Sequence, residues 1–286
     1  MFLSSMKNGP VFSLLPVFLA FLACSGEDSS PTPTTGASQG SDLLALQARV
    51  LKIDLEVAET YRHEHGADLP TTAHEVIDRY LEAMGGRDAF DTIRTMVMRS
   101  THHSTGGMMG SQIRYFKKPF YYRWEQSDAP VALVTDGHRF WWVGADGWEE
   151  IDDGRSYLPA ASMDNHFIDP EAVGIAYELM GVAALDGHPG FEIRRTWPHG
   201  REDVLFFSAE SGLLTNMRYS HPFGGEYSAS YWDYRDLGGV ALPFVHATNI
   251  DFTPPHAMVL QAVEINVPLP DSLFIPPEED GSSSGA

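Results

Sequence analysis

The chain of 286 residues is 43% hydrophobic and 12% aromatic, which is enough apolar material to bury a sizeable core. Its formal net charge of −20 repels nucleic acid and anionic lipid head groups at long range, so neither is an expected partner of the folded body. The single cysteine excludes internal disulfides and multi-cysteine metal sites.

The first segment has the pattern of an export signal. Residues 11–24 form an apolar run of 14 residues, shorter than the roughly 20 residues that span a bilayer but typical of a signal peptide. The only cysteine, Cys24, ends this run, and the arrangement resembles the bacterial lipoprotein signal, in which cleavage exposes the cysteine for acylation. We therefore expect a signal peptide over residues 1–23 and a lipid anchor on Cys24. An ordinary signal peptide with an incidental cysteine is the alternative.

The segment after the cysteine predicts a tether and a location. Residues 24–41 are rich in Ser, Thr, Pro and Gly and have almost no apolar side chains, as is typical of a flexible linker. Ser25 directly after the cysteine resembles the sorting signal of outer-membrane lipoproteins. This interpretation places the protein in the cell envelope, anchored to the outer membrane and facing the periplasm.

Two helices are predicted before the first strand. Apolar residues recur every three or four positions over residues 42–65, which predicts an amphipathic helix within an N-terminal segment of residues 42–70. Such a helix either packs on the domain or binds a protein partner. Thr72 and Glu75 have the spacing of a capping box, which predicts the start of the second helix.

From residue 95 onward the sequence alternates as β-strands do, with turns that contain Gly, Asp or Pro. One interruption, residues 170–181, has helical spacing after a proline and predicts a helix. Strands are expected near residues 95–102, 111–118, 120–127, 131–135, 139–143, 148–152, 190–197, 203–208, 213–220, 226–235, 244–252 and 258–267. About eleven strands with short turns predict a mainly β fold, a curved and incompletely closed antiparallel barrel with two to three helices. This domain is expected over residues 71–277, followed by a disordered tail over residues 278–286.

The most distinctive stretch is residues 113–143, which contains nine aromatic side chains. On a strand, adjacent residues such as Trp141 and Trp142 point to opposite faces, so both faces of this sheet are apolar in places. The pattern fits either the core of a β-sandwich or a sheet with one face on a core and the other on a covered cavity.

No motif in the sequence indicates catalysis or metal binding. The closest histidine clusters, at residues 63–65 and 102–103, have neither an HExxH pattern nor a third ligand at characteristic spacing. The acidic pairs at residues 149–150 and 152–153 follow a strand, where they predict solvated charge in a turn. Two carboxylates that meet only in space still permit a hydrolase of the glycosidase type. We expect no catalytic residue, no metal and no cofactor.

Four segments carry a likeness to a known family. Residues 118–124 (KPFYYRW) place a basic residue and a proline ahead of a strand that contains tryptophan, and residues 134–141 (VTDGHRFW) form an Asp-Gly hairpin. Residues 207–214 and 234–243 are similar to a later hairpin and to the start of a late strand. Over residues 73–277 the pattern resembles the LolA/LolB-like superfamily of periplasmic lipoprotein carriers.

The resemblance implies an unclosed barrel whose helices form a lid over an apolar cavity, and non-covalent binding of acyl chains without catalysis. Lys118 stands where the carrier has an arginine that helps to hold the lid, so it is expected at the lid or rim, although lysine lacks the planar fork of arginine. The expected cavity-lining residues are Phe116, Phe120, Tyr122, Trp124 and Trp142.

Three hypotheses for the function remain open. The leading one is an outer-membrane-anchored lipoprotein that binds lipid or lipoprotein acyl chains as a carrier, acceptor or sensor. The soluble carrier of the family has no anchor, so Cys24 favours an acceptor or a sensor. The second hypothesis is a structural or interaction lipoprotein that binds an envelope protein through residues 42–65. The third is a hydrolase that acts on an envelope polymer.

Overall fold

The computed structural model describes residues 52–104, 107–127, 132–144, 147–151, 165–220, 225–250 and 253–276. The predicted signal peptide (1–23), the acylation site Cys24, the tether and the tail from residue 278 lie outside the described residues. The first part of the predicted N-terminal helix, residues 42–51, also lies outside them. These assignments stay predictions.

Four helices belong to the described residues: α1 (Leu55–His65), α2 (Ala73–Ala83), α3 (Arg87–Thr92) and α4 (Asn165–Ile168), with short 3-10 turns at Gly66–Asp68 and Asp271–Phe274. The hydroxyl oxygen of Thr72 accepts a hydrogen bond from the backbone N–H of Glu75 at 3.3 Å, which confirms the predicted cap of α2. In the part of the chain that the structure describes, no helix is long and apolar enough to cross a membrane.

Thirteen strands, counted over the described residues, form one antiparallel sheet. In chain order, β1 to β13 are Thr95–Ser104, Gly107–Lys117, Tyr121–Gln126, Ala132–Thr135, Phe140–Gly144, Gly147–Glu150, Ala176–Leu185, His188–Thr196, Glu202–Ser208, Leu214–Ser220, Glu226–Leu237, Val240–Ile250 and Thr253–Ile265. Their order across the sheet is β6-β5-β4-β3-β2-β1-β13-β12-β11-β10-β9-β8-β7. The sheet is therefore a meander in two halves, which the pairing of β1 with β13 joins.

The sheet curves around α2. Phe116 on β2 and Phe191 on β8 are seven strand spacings apart in this order, which is roughly 34 Å in a flat sheet. Both nevertheless belong to one core that includes Leu81 of α2. The edge strands β6 and β7 do not pair with each other within the described residues. The predicted mainly β, incompletely closed fold is confirmed, with thirteen strands where about eleven were expected.

Helix α1 begins later than the sequence pattern predicts. Asp54 caps its first turn, and Ile53 forms a β-bridge with Leu185 instead of continuing the helix. The helix packs against β7 and β8, with Ala58 buried in the contact. Of the two roles expected for this segment, packing on the domain therefore holds for residues 55–65.

The predicted helix over residues 170–181 is wrong. This segment turns and then forms β7, which pairs with β8 through a hairpin turn at Asp186 and Gly187. Both turn residues have positive φ (50° and 82°), as a two-residue hairpin that matches the strand twist requires. Tyr177 and Leu179 alternate with exposed residues, so the burial period is two and not 3.6.

Candidate functional site

The inner face of the sheet, which we define as the side on which α2 packs, has an apolar floor at one end. Ile193, Leu205 and Phe207 form this floor and are fully inaccessible beneath the buried side chains of α2. Phe167 of α4 packs beside them, with its ring centroid 4.9 Å from that of Tyr80 on α2. The helices therefore cover one end of the inner face and exclude water from it.

Lys118 joins the end of β2 to α3. Its Nζ donates a hydrogen bond to the carbonyl oxygen of Phe90 at 2.6 Å and lies 3.6 Å from a carboxylate oxygen of Asp91. The Lys118 side chain is only 17% exposed, whereas that of Asp91 is 74% exposed, so the backbone hydrogen bond is the better protected of the two contacts. The residue predicted for the lid or rim lies where the sheet meets a covering helix.

Four of the five predicted cavity residues share the inner face. Tyr122 is the ladder partner of Phe116, and their ring centroids are 5.1 Å apart. Trp124 follows Tyr122 by two positions and therefore points to the same side. Trp142 of β5 stacks on Trp124, with ring centroids 6.4 Å apart. The side chains form a row from the covered end of β2 toward the edge of the sheet.

The fifth predicted cavity residue, Phe120, lies in the turn between β2 and β3 and not in a strand. It packs under the β4–β5 turn, where a Cβ atom on Gly137 would come within 3.2 Å of the Phe120 Cβ. Gly137 also has a φ of 89°, which L side chains rarely adopt. Phe120 therefore packs the β2–β3 turn against the β4–β5 turn.

A band of polar and aromatic side chains crosses nine adjacent strands of the inner face, next to the apolar floor. Its members, from β8 to β3, are Arg195, Asp203, Tyr219, Tyr227, Tyr231, His246, Met258, His102, Gln112, Arg114 and Trp124. We call this band the polar belt. Its rings are in contact: the centroids of Tyr219 and Tyr227 lie 4.6 Å apart, and those of Tyr231 and His246 lie 4.7 Å apart.

Gln112 joins several members of the polar belt. Its Oε1 accepts a hydrogen bond from Trp124 Nε1 at 2.6 Å, and its Nε2 donates to Met258 Sδ at 3.0 Å. Met258 in turn is the ladder partner of both His102 and His246. Gln112 and Trp124 are buried. A buried amide with both ends engaged fixes the orientation of the Trp124 ring.

Several members of the polar belt are deep in the protein and still partly accessible. Burial, the largest cause, raises the pKa of Tyr231 to about 12 and lowers the pKa of His246 to about 3. It also lowers the pKa of His102 to about 4. The same three side chains are only half-buried by accessible surface. These side chains are therefore desolvated without being fully packed, as the wall of a groove or cavity would be.

An ion cluster lies at the β8–β9 end of the polar belt. The fully buried Asp203 accepts a hydrogen bond from Arg195 Nε at 2.9 Å and another from Trp197 Nε1. Its second oxygen lies 3.1 Å from Arg201 Nε, a distance that brings the charges together without an aligned hydrogen bond. Two guanidinium groups thus share one carboxylate, and the cluster keeps a surplus of positive charge.

Arg114 is the other cation of the polar belt, and it is not among the residues predicted from the sequence. Its Nη2 donates to Met258 Sδ at 3.1 Å, and its Nε is buried without a hydrogen-bond partner. Its ladder partners are Met98 and Trp124. Arg114 stands two positions before Phe116 on the same face of β2, and this alternation was the available signal in the sequence.

A pocket of about 310 Å³ lies between α2 and the β9–β10 hairpin. Phe191 and Phe207 form its apolar wall, while Arg79 and Glu82 of α2 lie at its polar side. Phe207 also belongs to the apolar floor, so the pocket borders the inner face. Its volume is at the lower end of the range of about 300–1,000 Å³ that small-molecule sites occupy.

The histidine clusters of the sequence do not form a metal centre in the described part of the chain. No group of three His, Cys, Asp or Glu side chains among the described residues is placed to hold a metal ion. His65 ends α1, where its Nδ1 lies 3.1 Å from the carbonyl oxygen of Tyr61. His102 belongs to the polar belt through its pairing with Met258.

No protein-family model matches the chain, and no curated protein matches it in sequence. Solved structures do match it. A LolA superfamily protein from Nitrosomonas europaea superposes with a TM-score of 0.53 and 9% identity, over 72% of this chain and 98% of that one. A DUF1329 family protein from Desulfovibrio piger has a TM-score of 0.51 and 14% identity, over 70% and 96%. A putative outer membrane lipoprotein-sorting protein domain from Vibrio parahaemolyticus has a TM-score of 0.47 and 9% identity, over 69% and 97%.

The chain therefore has the LolA-like fold, which confirms the fold that the four sequence segments predicted. At such low identity the likeness establishes the fold alone, since one fold hosts many functions.

Proposed function

We propose that the protein binds acyl chains of lipids or lipoproteins between the inner face and the helices α2 to α4, without catalysing a reaction. The observation that carries this proposal is the row of four aromatic side chains on the inner face, next to the apolar floor: Phe116, Tyr122, Trp124 and Trp142. A wall of this kind favours an acyl chain because it removes methylene groups from water.

The expected binding energy is sufficient for a specific interaction. Each methylene group that leaves water contributes about 0.8 kcal/mol, so burying ten of them contributes about 8 kcal/mol. Lost translational and rotational freedom offsets part of this gain. Binding requires little rearrangement of the helices, because α2 and α4 already pack over the apolar floor of the inner face.

The cellular role that we propose is that of a carrier, acceptor or sensor in the cell envelope, held at the outer membrane by a lipid anchor on Cys24. The LolA-like fold and the lipoprotein-type signal in the sequence support this role. An anchor would keep the protein close to the membrane from which acyl chains come. The hypothesis that residues 42–65 bind a protein partner stays a prediction, as does the hydrolase.

The test measures binding of N-phenyl-1-naphthylamine, an uncharged fluorescent probe of apolar cavities, to the full-length, delipidated protein. The test variant is Trp142→Ala. Its matched control is Trp148→Ala, because Trp148 is also half-buried but lies on the opposite face against Trp141, at a centroid distance of 6.2 Å. We expect Trp142→Ala to weaken binding about tenfold, and Trp148→Ala to change it less than about twofold.

Two results would contradict the proposal. One is that the unaltered protein shows no probe fluorescence that 1-dodecanol can displace. The other is that the two tryptophan substitutions weaken binding equally, which would mean that the probe binds without preference for the inner face.

A further inference from the structure

The N–H donors of Arg114 lack strong hydrogen-bond acceptors. A guanidinium has five N–H donors in a planar fork and matches the two oxygens of a carboxylate or phosphate, whereas a thioether sulfur is a weak acceptor. The Nη2 group of Arg114 contacts only such a sulfur, that of Met258, and Nε has no partner. Within the described ranges, no carboxylate lies within ion-pair distance of Arg114.

Other arginines of the same sheet differ in this respect. Arg99 on β1, next to Arg114 in the sheet but on the outer face, pairs with Glu264. Arg218 on β10 pairs with Glu192 at 2.7 Å. These pairs are partly exposed and form where water would already solvate the charge. The Nε atom of Arg114 is buried and has no partner, and removing a charge from water without a counter-ion is costly.

The groups around Arg114 are neutral at physiological pH and polar. Burial, followed by the charge of Arg114 itself, lowers the pKa of His246 to about 3 and that of His102 to about 4. Burial raises the pKa of Tyr122, and the Arg114 charge is near enough to oppose this rise. Arg114 is therefore the charged side chain in this part of the polar belt. Its hydroxyl and imidazole neighbours are neutral.

The apolar wall begins directly beside Arg114. Phe116 follows on the same face of β2 at about 7 Å along the strand, and the ladder partner of Arg114 on β3 is Trp124. One ligand with a charged end and an apolar chain would therefore meet Arg114 and the aromatic row at once. A free fatty acid, a phospholipid and an alkyl phosphate share this chemistry.

We propose that Arg114 is an anion site that takes the carboxylate or phosphate oxygens of the amphiphile's head group, while its acyl chain lies along Phe116 and Trp124. This inference rests on the proposed function for the acyl chain. It adds that binding selects anionic over uncharged amphiphiles, although the protein as a whole carries a net charge of −20.

The experiment compares dodecanoate with 1-dodecanol, which have the same chain length and differ in charge. Each displaces N-phenyl-1-naphthylamine from the full-length, delipidated protein, and the ratio of the two affinities is the readout. We expect the unaltered protein to prefer dodecanoate at least tenfold, because a charge-assisted, bidentate contact is among the stronger hydrogen-bonded contacts. Arg114→Met should bring the ratio to within about threefold of one, and Arg114→Lys should give an intermediate ratio.

The control is Arg99→Met, which removes a cation from the adjacent strand on the outer face and should leave the ratio unchanged. A ratio near one in the unaltered protein, or a preference that survives Arg114→Met, overturns the inference. Either result leaves the proposed acyl-chain function intact, because both amphiphiles still bind.

A second arm separates a head group from a free anion. If neither amphiphile displaces the probe, the proposed function fails, and inorganic phosphate alone then tests Arg114 through the NMR signal of its Nε–H group. A shift of that signal, assigned by its loss in Arg114→Met, supports an anion site for a free anion. No shift overturns the site as well.

Discussion

Side chains of the same type make different contacts on the inner and outer faces of β2 and β3. On the outer face Lys117 pairs with Asp271, and Arg123 pairs with Glu125. On the inner face Arg114 contacts a thioether sulfur, and no described carboxylate is near enough to pair with it. The cations on the outer face therefore have carboxylate partners within the chain, whereas Arg114 on the inner face has none among the described residues.

Apolar side chains show the same difference. On the outer face the 3-10 turn at Asp271–Phe274 covers the sheet: Phe274 is fully buried against Val134, and its ring lies 5.5 Å from that of Tyr121. On the inner face Phe116 belongs to the core that α2 covers, whereas Trp142 stays half-buried. The outer face is closed by residues of the chain, whereas the inner face retains accessible rings and a charge, as a binding surface does.

We expect the largest loss of stability at Asp203, whose carboxylate pairs with the arginines at the β8–β9 end of the polar belt. Asp203→Ala leaves the Arg195 guanidinium buried without its carboxylate, so we expect a loss of about 4 kcal/mol in the free energy of unfolding. Chemical denaturation measures it. The control, Glu264→Ala, breaks the exposed pair with Arg99 and should cost less than about 1 kcal/mol. Equal losses would show that the inner ion cluster is no more desolvated than the surface pair.

The next effect separates stability from binding. Phe274→Ala removes a fully buried ring from the outer face and should lower the free energy of unfolding by about 3 kcal/mol or more. The same substitution should leave the affinity for 1-dodecanol within about twofold. Trp142→Ala should show the reverse pattern, with a small loss of stability and a large loss of affinity. If Phe274→Ala abolishes binding in protein that is still folded, the two faces are not independent.

The smallest effect concerns pH. Because burial lowers the pKa of His246 from 6.5 to about 3 in the folded protein, the unfolded chain binds one more proton between these values. Stability from this group is therefore complete above about pH 6.5 and is lost as the pH falls toward 3. His246→Phe should reduce the slope of unfolding free energy against pH by about one proton near pH 5. His188→Phe, at the exposed start of β8, is the control; an equal reduction there would contradict the burial of His246.

The sequence predicts the fold better than it predicts the site. Short-range signals specify most strands, because turns such as Asp136-Gly137 and period-two alternation act over a few residues. The strand β7 was mistaken for a helix because Pro170 and the apolar spacing after it also fit a helix, although the Asp186-Gly187 turn was a signal for a hairpin. A local pattern that fits both periods is decided by strand pairing, here with the next strand of the same hairpin.

The polar belt has no local signature. Its members come from nine strands, and only register and curvature bring Arg195 of β8 and Trp124 of β3 to one face. The prediction of Trp124 and Trp142 as cavity residues relied on aromatic content within a single hairpin region. Arg114 was overlooked because an arginine on a strand is ordinarily exposed, and its lack of a carboxylate partner is a property of the folded sheet.

The most direct test of an inner-face acyl site is quenching of tryptophan fluorescence by dibromostearate, whose bromine atoms quench only rings that they contact. The full-length protein, Trp142→Phe and Trp148→Phe are titrated in parallel. We predict that the quenched fraction falls in Trp142→Phe and is retained in Trp148→Phe, because Trp142 stacks on the inner face and Trp148 packs on the outer one. Quenching that survives Trp142→Phe but disappears in Trp148→Phe would place the chain on the outer face and contradict the account.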